Sequence, residues 1–173
     1  MARIPYFDLE QAGAELQEAL RGRPPLNMYR MLAHGDASAL RFLALGRSLM
    51  TATAIDPVLR ELTILRVVAL CGADYEVRQH RKLAARAAVP EDKVQAVLAD
   101  PTRPVAAAAF DALEHTALRF TDAVVREVKA PEALFRELAQ QLSHRQILEL
   151  LMTIGFYMLA GRISENLEID LEK

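Results

Sequence analysis

The sequence predicts a single all-α domain, and three observations support this prediction. Ala and Leu together supply 55 of the 173 residues, whereas Val, Ile and Thr supply 25, so strong helix formers outnumber strand formers. Apolar residues recur at helical spacing along most of the chain. Proline and capping residues precede most of these apolar segments, as they do at helix starts. With 52% hydrophobic residues and no long linker, residues 1–173 should share one core.

Each predicted helix follows from this periodicity and from its flanking residues. Asp36, Asp56 and Asp74 are predicted caps, Pro57 stands at a first helical position, and Ser143 begins a capping box with Gln146. The predicted helices cover residues 9–20, 27–33, 37–50, 57–70, 75–87, 91–99 and 105–128, a short segment after Pro131, the segment from Ser143 to about Ala160, and 163–171.

Two of these segments, 56–70 and 147–160, are apolar on most sides. A helix of this kind lies in the core rather than at the surface. Functional residues are therefore expected on or beside these two helices.

Charge and cysteine content exclude several classes of protein. The formal net charge is -2, and the basic residues are scattered, so no nucleic-acid partner is expected. Cys71 is the only cysteine, which rules out an internal disulfide. The first residues lack the apolar run of a secretory signal, and the longest uncharged apolar stretch, 150–161, is shorter than the ~20 residues that cross a bilayer. We expect a cytoplasmic protein with no membrane partner.

Glu61 is the first candidate for chemistry. It shares a helical stripe with Ile64, Leu65 and Val68, so its carboxylate points into apolar surroundings. Such an acid must be paired with a cation or have a raised pKa, as a general acid or base requires. The alternative is a structural ion pair with Arg60, Arg66 or an arginine of another helix.

His80 and Glu76 are the second candidates, because they lie four residues apart on one face of the next predicted helix. A histidine beside carboxylates can exchange protons with a bound substrate. The alternatives are a histidine that only caps a helix or bonds Glu76. Two ligands on one helix with no His/Cys cluster do not make a metal site, so no metal is expected.

Four segments together resemble a known family. They are Arg60-Glu61-Leu62-Thr63-Ile64-Leu65-Arg66-Val67, Cys71-Gly72-Ala73-Asp74-Tyr75-Glu76-Val77-Arg78-Gln79-His80, residues 26–34, and Ile154-Gly155-Phe156-Tyr157. The chain resembles the carboxymuconolactone decarboxylase family, which includes the alkylhydroperoxidase-D-like proteins. The resemblance implies one all-α domain with an orthogonal helix bundle.

The alkylhydroperoxidase branch of that family uses a C-x-x-C-x-x-x-H motif with an upstream glutamate. Aligning its histidine with His80 places the two thiols at Ala73 and Glu76 and the relay acid at Glu61, so this chain lacks both thiols. Cys71 lies two residues before the first thiol position. Dithiol peroxidase activity is therefore not expected, and an antioxidant protein that uses Cys71 alone is kept as an alternative.

The decarboxylase branch fits the remaining residues better. There a histidine transfers protons on a small lactone acid without metal or organic cofactor. The resemblance thus implies a cofactor-independent lyase or isomerase acting on a small carboxylate or lactone, with His80, Glu61, Glu76 and Tyr75 as catalytic residues. Substrate-binding candidates are Arg60, Arg30 and Cys71, since a guanidinium can hold a carboxylate through two bonds.

The predicted partners are a small-molecule substrate and further copies of the chain. The apolar C-terminal helices are expected to bury surface between subunits of a dimer, trimer or hexamer. A non-catalytic oligomeric binding protein of the same fold is the other alternative, and a filled site without a cavity would favour it.

Overall fold

Helices form the whole secondary structure of this computed structural model, which describes residues 1–172. Over that range the chain forms nine α-helices, three short 3-10 turns and no strand, which confirms the all-α prediction. The α-helices are α1 (Ala14–Leu20), α2 (Asn27–Leu32), α3 (Ala37–Thr51), α4 (Pro57–Leu70), α5 (Asp74–Arg86), α6 (Glu91–Leu98), α7 (Ala112–Glu127), α8 (Glu132–Ala139) and α9 (His144–Leu167). The 3-10 turns are Leu9–Gln11, Ala33–Gly35 and Ala107–Ala109.

Helix α4 is the central element, as its apolar composition predicts. Asp56 caps it by accepting hydrogen bonds from the amides of Val58 and Leu59, at 2.8 and 3.2 Å, and Pro57 is its first residue. It packs against α5, α6, α7 and α9. Any polar side chain on α4 is therefore held in place by packing from several sides.

Helix α9 begins at the predicted Ser143–Gln146 capping box but does not end near Ala160. It runs without a break to Leu167, so the two predicted C-terminal helices are one. Gly161 is buried where α9 passes the turn after α4, and a Cβ there would lie 3.0 Å from the Cβ of Ala73. The glycine permits close helix packing at this point and does not end the helix.

Length and composition alone would allow α9 to cross a membrane. Half of its most apolar window is buried inside the fold, however, as expected for the core helix of a soluble protein. The prediction of a soluble protein is consistent with this structure, and the cytoplasmic location stays a prediction.

Two other predicted helices have different boundaries. Residues 9–20 are split, because Ala12 and Gly13 are extended and separate a 3-10 turn from α1. Helix α7 starts at Ala112 and not at Val105, because Asp111 forms a capping box with Glu114. The side chain of Asp111 accepts a bond from the Glu114 amide at 2.8 Å, and this satisfies the helix start there.

The turn between α4 and α5 reverses the chain. Gly72 adopts a φ of +64°, a conformation that favours glycine. Ala73, and not the predicted Asp74, occupies the N-cap of α5, so Asp74 is the first helical residue. Asp36 does stand at the N-cap of α3, but its side chain makes no capping hydrogen bond. The reversal places α5 back along α4 and brings their predicted inward faces together.

Candidate active site

Glu61 of α4 and His80 of α5 form a buried pair at the interface of these helices. The Glu61 Oε2 and His80 Nδ1 atoms are 2.9 Å apart. Only 1% of Glu61 and 4% of His80 is exposed to solvent. The helical phase predicts this arrangement, because both residues lie on the inward stripes of helices that pack together.

This hydrogen bond determines which imidazole nitrogen of His80 carries the proton and which one faces the cavity. A carboxylate can only accept a hydrogen bond, so Nδ1–H of His80 donates to Glu61. The neutral ring then has an unprotonated Nε2. That nitrogen lies 4.0 Å from Oε2 of Glu76, one turn earlier on α5. His80 is thus oriented by one carboxyl group and faces a second.

Glu76 is nearly as buried as His80, yet its carboxyl group has no hydrogen-bond partner among residues 1–172. Burial raises the pKa of Glu76, and the nearby His80 only partly opposes that increase. A buried carboxyl group that bonds nothing in the protein, and that lines a cavity with His80, is available to a ligand.

The cavity beside these residues has a volume of about 510 Å³ and lies between α2, α3, α5 and α9. Much of its wall is apolar and aromatic, formed by Met28, Tyr29, Phe42, Leu43, Met50, Phe156 and Tyr157. Its volume is typical of small-molecule sites. The region beside His80 is therefore not filled by side chains, which was the condition that would have favoured the non-catalytic alternative.

Tyr157 of α9 completes the environment of His80. The two rings meet edge to face, with centroids 4.6 Å apart. The Tyr157 hydroxyl donates only to the thioether of Met50, at 3.3 Å, which is a weak acceptor. Burial and the carboxylates of Glu61 and Glu76 raise the pKa of Tyr157 well above its usual value. This phenol therefore stays protonated and can donate to a ligand.

Tyr75 also lines the cavity, but its hydroxyl group is already engaged. It donates to Oε1 of Glu172 at 2.6 Å and accepts from the Met28 amide at 3.3 Å. Burial and Glu172 raise the pKa of Tyr75. These contacts tie the C-terminal segment to α2 and α5, which gives Tyr75 a structural part in the cavity wall.

The three predicted substrate-binding residues do not line the cavity. Arg60 lies with its Nε 3.5 Å from Oε1 of Glu61, beside the buried pair. Arg30 donates to the carbonyl of Phe7 and stacks over the ring of Tyr6. Cys71 is half-buried in the turn after α4, and burial raises the pKa of its thiol although Arg162 opposes the shift. Its environment does not favour a reactive thiolate.

Four cationic residues that the sequence analysis missed line the cavity instead: Arg23, Arg47, Lys82 and Arg86. We call them the mouth cations, because Arg47, Lys82 and Arg86 are exposed and Arg23 is half-buried, whereas His80 and Glu76 are buried. The helical phase of α5 could have identified Arg86, since Leu83 and Arg86 continue the face of Glu76 and His80. Nothing in the sequence brings Arg23 or Arg47 to the same place.

No three His, Cys, Asp or Glu side chains of the described chain are arranged to hold a metal ion. The polar groups at the cavity are instead those of acid–base chemistry: an oriented imidazole, a protonated phenol and a carboxyl group with a raised pKa.

Comparison with known proteins agrees with the resemblance seen in the sequence. Residues 37–123 match the family model of the carboxymuconolactone decarboxylase family. No curated protein matches the chain.

Several solved structures share the fold at low sequence identity. An uncharacterized peroxidase-related protein from Ralstonia eutropha JMP134, described as an alkylhydroperoxidase AhpD core, superposes with a TM-score of 0.84 at 18% identity, over 99% of this chain and 93% of that one. An uncharacterized peroxidase-related protein from Silicibacter sp. TM1040 superposes with a TM-score of 0.80 at 17% identity, over 98% of this chain and 90% of that one. A variant of the debrominase Bmp8 in complex with 2,3,4-tribromopyrrole gives 0.79 at 20% identity, over 99% and 94%. These likenesses confirm the predicted AhpD-like helical fold.

Proposed function

The chain belongs to the carboxymuconolactone decarboxylase family, and from this premise we propose that it is a cofactor-independent enzyme that transfers a proton to or from carbon in a carboxylate or lactone. The observation that carries the proposal is the orientation of His80. Its Nδ1 is bonded to buried Glu61, and its Nε2 faces the cavity beside Glu76. A histidine held in this way is suited to general acid–base catalysis.

His80 is the proposed acid–base group. In a decarboxylation, the bond between the carboxylate carbon and the adjacent carbon breaks, carbon dioxide leaves, and the electron pair stays on that carbon as an enolate. Protonated Nε2 of His80 then delivers its proton to the carbon, and water restores it. In an isomerisation, neutral Nε2 removes a proton from carbon and returns it at another position.

Glu61 is the proposed positioning residue. It does not line the cavity, so it acts through His80 by holding the ring and stabilising the imidazolium that forms when Nε2 takes up a proton. The Nε of Arg60 lies 3.5 Å from Oε1 of Glu61, so a cation stands beside this carboxyl group.

Tyr157 and Glu76 are the proposed partners of His80 within the cavity. An enolate oxygen needs a hydrogen-bond donor, and the Tyr157 hydroxyl is neutral and only weakly engaged. Glu76 is 4.0 Å from Nε2, a separation at which one substrate atom can lie about 2.8 Å from both. Burial raises the pKa of Glu76, and a Glu76 carboxyl group that holds a proton can donate to that atom.

The mouth cations favour a negatively charged substrate. Four cations at one opening raise the local concentration of anions and speed their association. A thiol mechanism has less support, because Cys71 lies outside the cavity and has no second thiol in the chain.

The experiment that tests this proposal is proton transfer in D₂O. The protein is incubated with carboxymuconolactone and with related lactones and carboxylates, and NMR follows loss of carbon dioxide and deuterium incorporation at carbon. We expect turnover by the natural chain and a loss of ~10²-fold or more in His80→Gln. His144→Gln, which changes an exposed histidine at the start of α9, is the matched control and should be unaffected.

Two outcomes would contradict the proposal. One is equal turnover by His80→Gln and the natural chain. The other is sustained peroxide turnover that disappears in Cys71→Ala, which would favour the single-cysteine antioxidant alternative.

Assembly into a homo-oligomer is also proposed, since α9 exposes the apolar side chains of Leu148, Leu151, Met152 and Leu159 along its outer face. Exposed apolar surface of this kind favours contact with a second copy of the chain. Light scattering at micromolar concentration should show a species larger than a monomer, and a monomer would contradict the proposal.

A further inference from the structure

The mouth cations have no carboxylate partner within the protein. Arg23, Arg47, Lys82 and Arg86 line the cavity and make no salt bridge with any residue in 1–172. Like charges gathered at one opening repel one another, and a bound anion removes that repulsion. The mouth is therefore arranged for a negatively charged group of a ligand.

Helix α5 separates Arg86, one of the mouth cations, from His80 by a fixed distance. Glu76, His80, Leu83 and Arg86 follow one another along the side of α5 that faces the cavity. Arg86 is six residues after His80, and at a rise of 1.5 Å per residue this is about 9 Å along the helix axis. The side chain between them, Leu83, is apolar. A ligand that meets both ends must carry an apolar segment of about this length.

Aromatic rings of α3 and α9 form another part of the cavity wall. His80 contacts Tyr157 edge to face, Tyr157 contacts Phe156 with centroids 5.3 Å apart, and Phe156 contacts Phe42 at 4.4 Å. Such a continuous series of rings packs best against flat aromatic groups. The thioethers of Met28 and Met50, which also line the cavity, make favourable contacts with rings.

We propose that the cavity takes an elongated aromatic monoanion whose acidic group lies among the mouth cations and whose far ring reaches His80 and Glu76. This inference rests on the proposed function for the chemistry at His80, and there it favours the isomerisation, because a single carboxylate held at the mouth is not the group that leaves as carbon dioxide at His80. A small lactone acid would fill part of the 510 Å³ and could not touch both ends. The substrate class is thus narrower than a carboxylate or lactone: two linked or fused rings with one terminal carboxylate or similar anion.

Calorimetry with four probes tests the proposal without any turnover. Biphenyl-4-carboxylate has the length and the charge, benzoate has the charge alone, 4-biphenylmethanol has the length alone, and succinate is a small dianion. We expect biphenyl-4-carboxylate to bind at least about tenfold more tightly than each of the others, a difference of ~1.4 kcal/mol. Weaker or equal binding of biphenyl-4-carboxylate, or none that can be measured, would overturn the proposal.

Paired variants separate the mouth from the general surface charge. The double variant Arg47→Gln/Arg86→Gln lacks two mouth cations. It should bind biphenyl-4-carboxylate at least about tenfold more weakly than the natural chain. Arg41→Gln with Arg78→Gln removes two exposed cations from the same helices, α3 and α5, outside the cavity, and should change affinity little. Equal effects of the two pairs would contradict the proposed place of the anion.

The same measurements distinguish this inference from the proposed function. His80→Gln should keep most of its affinity for biphenyl-4-carboxylate while losing proton transfer. If biphenyl-4-carboxylate does not bind but proton transfer still depends on His80, the proposed aromatic ligand is wrong and the proposed function stands. Tight binding with transfer that does not depend on His80 would reject the proposed function alone.

Discussion

Helix α4 carries two buried charged residues, and the difference between their surroundings separates structure from function. Arg66 donates to both carboxylate oxygens of Asp122, at 2.6 and 2.8 Å, and to the carbonyls of Val97 and Arg103. Glu61, about 140° away around the same helix, accepts from His80, whose other nitrogen faces a cavity. Both pairs are buried, but only in the second does a polar atom, Nε2 of His80, lack a hydrogen-bond partner in the described part of the chain.

This comparison shows why burial of a charge is not by itself a sign of function. A closed pair such as Arg66–Asp122 has every polar atom satisfied, so a ligand would gain nothing there. At His80 the unsatisfied groups, Nε2 and the Glu76 carboxyl, gather at one cavity wall. The account predicts that changes at Arg66–Asp122 affect stability and that changes around His80 affect chemistry.

The largest expected effect belongs to the closed pair. Asp122→Ala leaves the Arg66 guanidinium buried without its partner, which should destabilise the fold by ~3–5 kcal/mol and lower Tm on the order of 10 °C. Thermal unfolding followed by circular dichroism measures this. Glu61→Gln, whose side-chain amide can hydrogen-bond either tautomer of His80, serves as the control and should shift Tm much less. Similar shifts for both variants would remove the contrast between the pairs.

Glu61→Gln should instead slow proton transfer. The neutral amide cannot stabilise the imidazolium of His80 as a carboxylate does, so kcat should fall ~10²-fold while KM changes little. Steady-state kinetics in the D₂O assay measures both constants. A change in KM with an unaltered kcat would show that Glu61 acts on substrate binding and not through His80.

Tyr157→Phe tests the proposed donor to the enolate. The ring still packs against His80 and Phe156, but the hydroxyl is lost, so kcat should decrease roughly tenfold. Tyr75→Phe is the matched variant in the same cavity, where the hydroxyl bonds Glu172. It should lower Tm by a few degrees and affect kcat less, and the reverse order would exchange the roles of the two tyrosines.

Glu76→Gln should raise stability at neutral and alkaline pH. Burial raises the pKa of Glu76, so the folded state holds its proton more tightly than the unfolded state. The contribution of Glu76 to the free energy of unfolding is complete below its ordinary pKa of 4.5. It is lost as the pH rises through the raised pKa of the folded state. The variant should therefore gain roughly 2–4 °C in Tm, about 1 kcal/mol, at pH 8. Little or no gain is expected near pH 4, and a gain that is largest in acid would contradict the sign.

Much of this site could be predicted from the sequence, because it depends on helical phase. Glu61 shares its face with Ile64 and Leu65, and His80 lies eight residues beyond Gly72 and six beyond Asp74, so one turn sets how the two helices meet. Caps were equally informative at Asp56 and Ser143, where side chains accept from the first amides of α4 and α9. Helical phase and helix caps depend on residues that are close in sequence, so they can be predicted without knowledge of the tertiary structure.

The errors arose where tertiary packing decided the outcome. A glycine such as Gly161 is common at helix ends, and the sequence analysis therefore ended a helix there. In the structure the absence of a Cβ lets α9 pack closely against Ala73, which is far away in sequence. Arg47 and Arg23 reach the cavity only because α2 and α3 fold over α5 and α9. Arg30 looked equally suitable in sequence and instead stacks on Tyr6.

Nitrogen-15 NMR of the histidine side chains tests most directly that Glu61 orients His80 with Nε2 toward the cavity. In the natural chain, neutral His80 should carry its proton on Nδ1, and Glu61→Gln should reduce the share of that tautomer. His144, exposed at the start of α9, is the internal reference and should not respond. A His80 that carries its proton on Nε2, or a tautomer that Glu61→Gln leaves unchanged, would contradict the account.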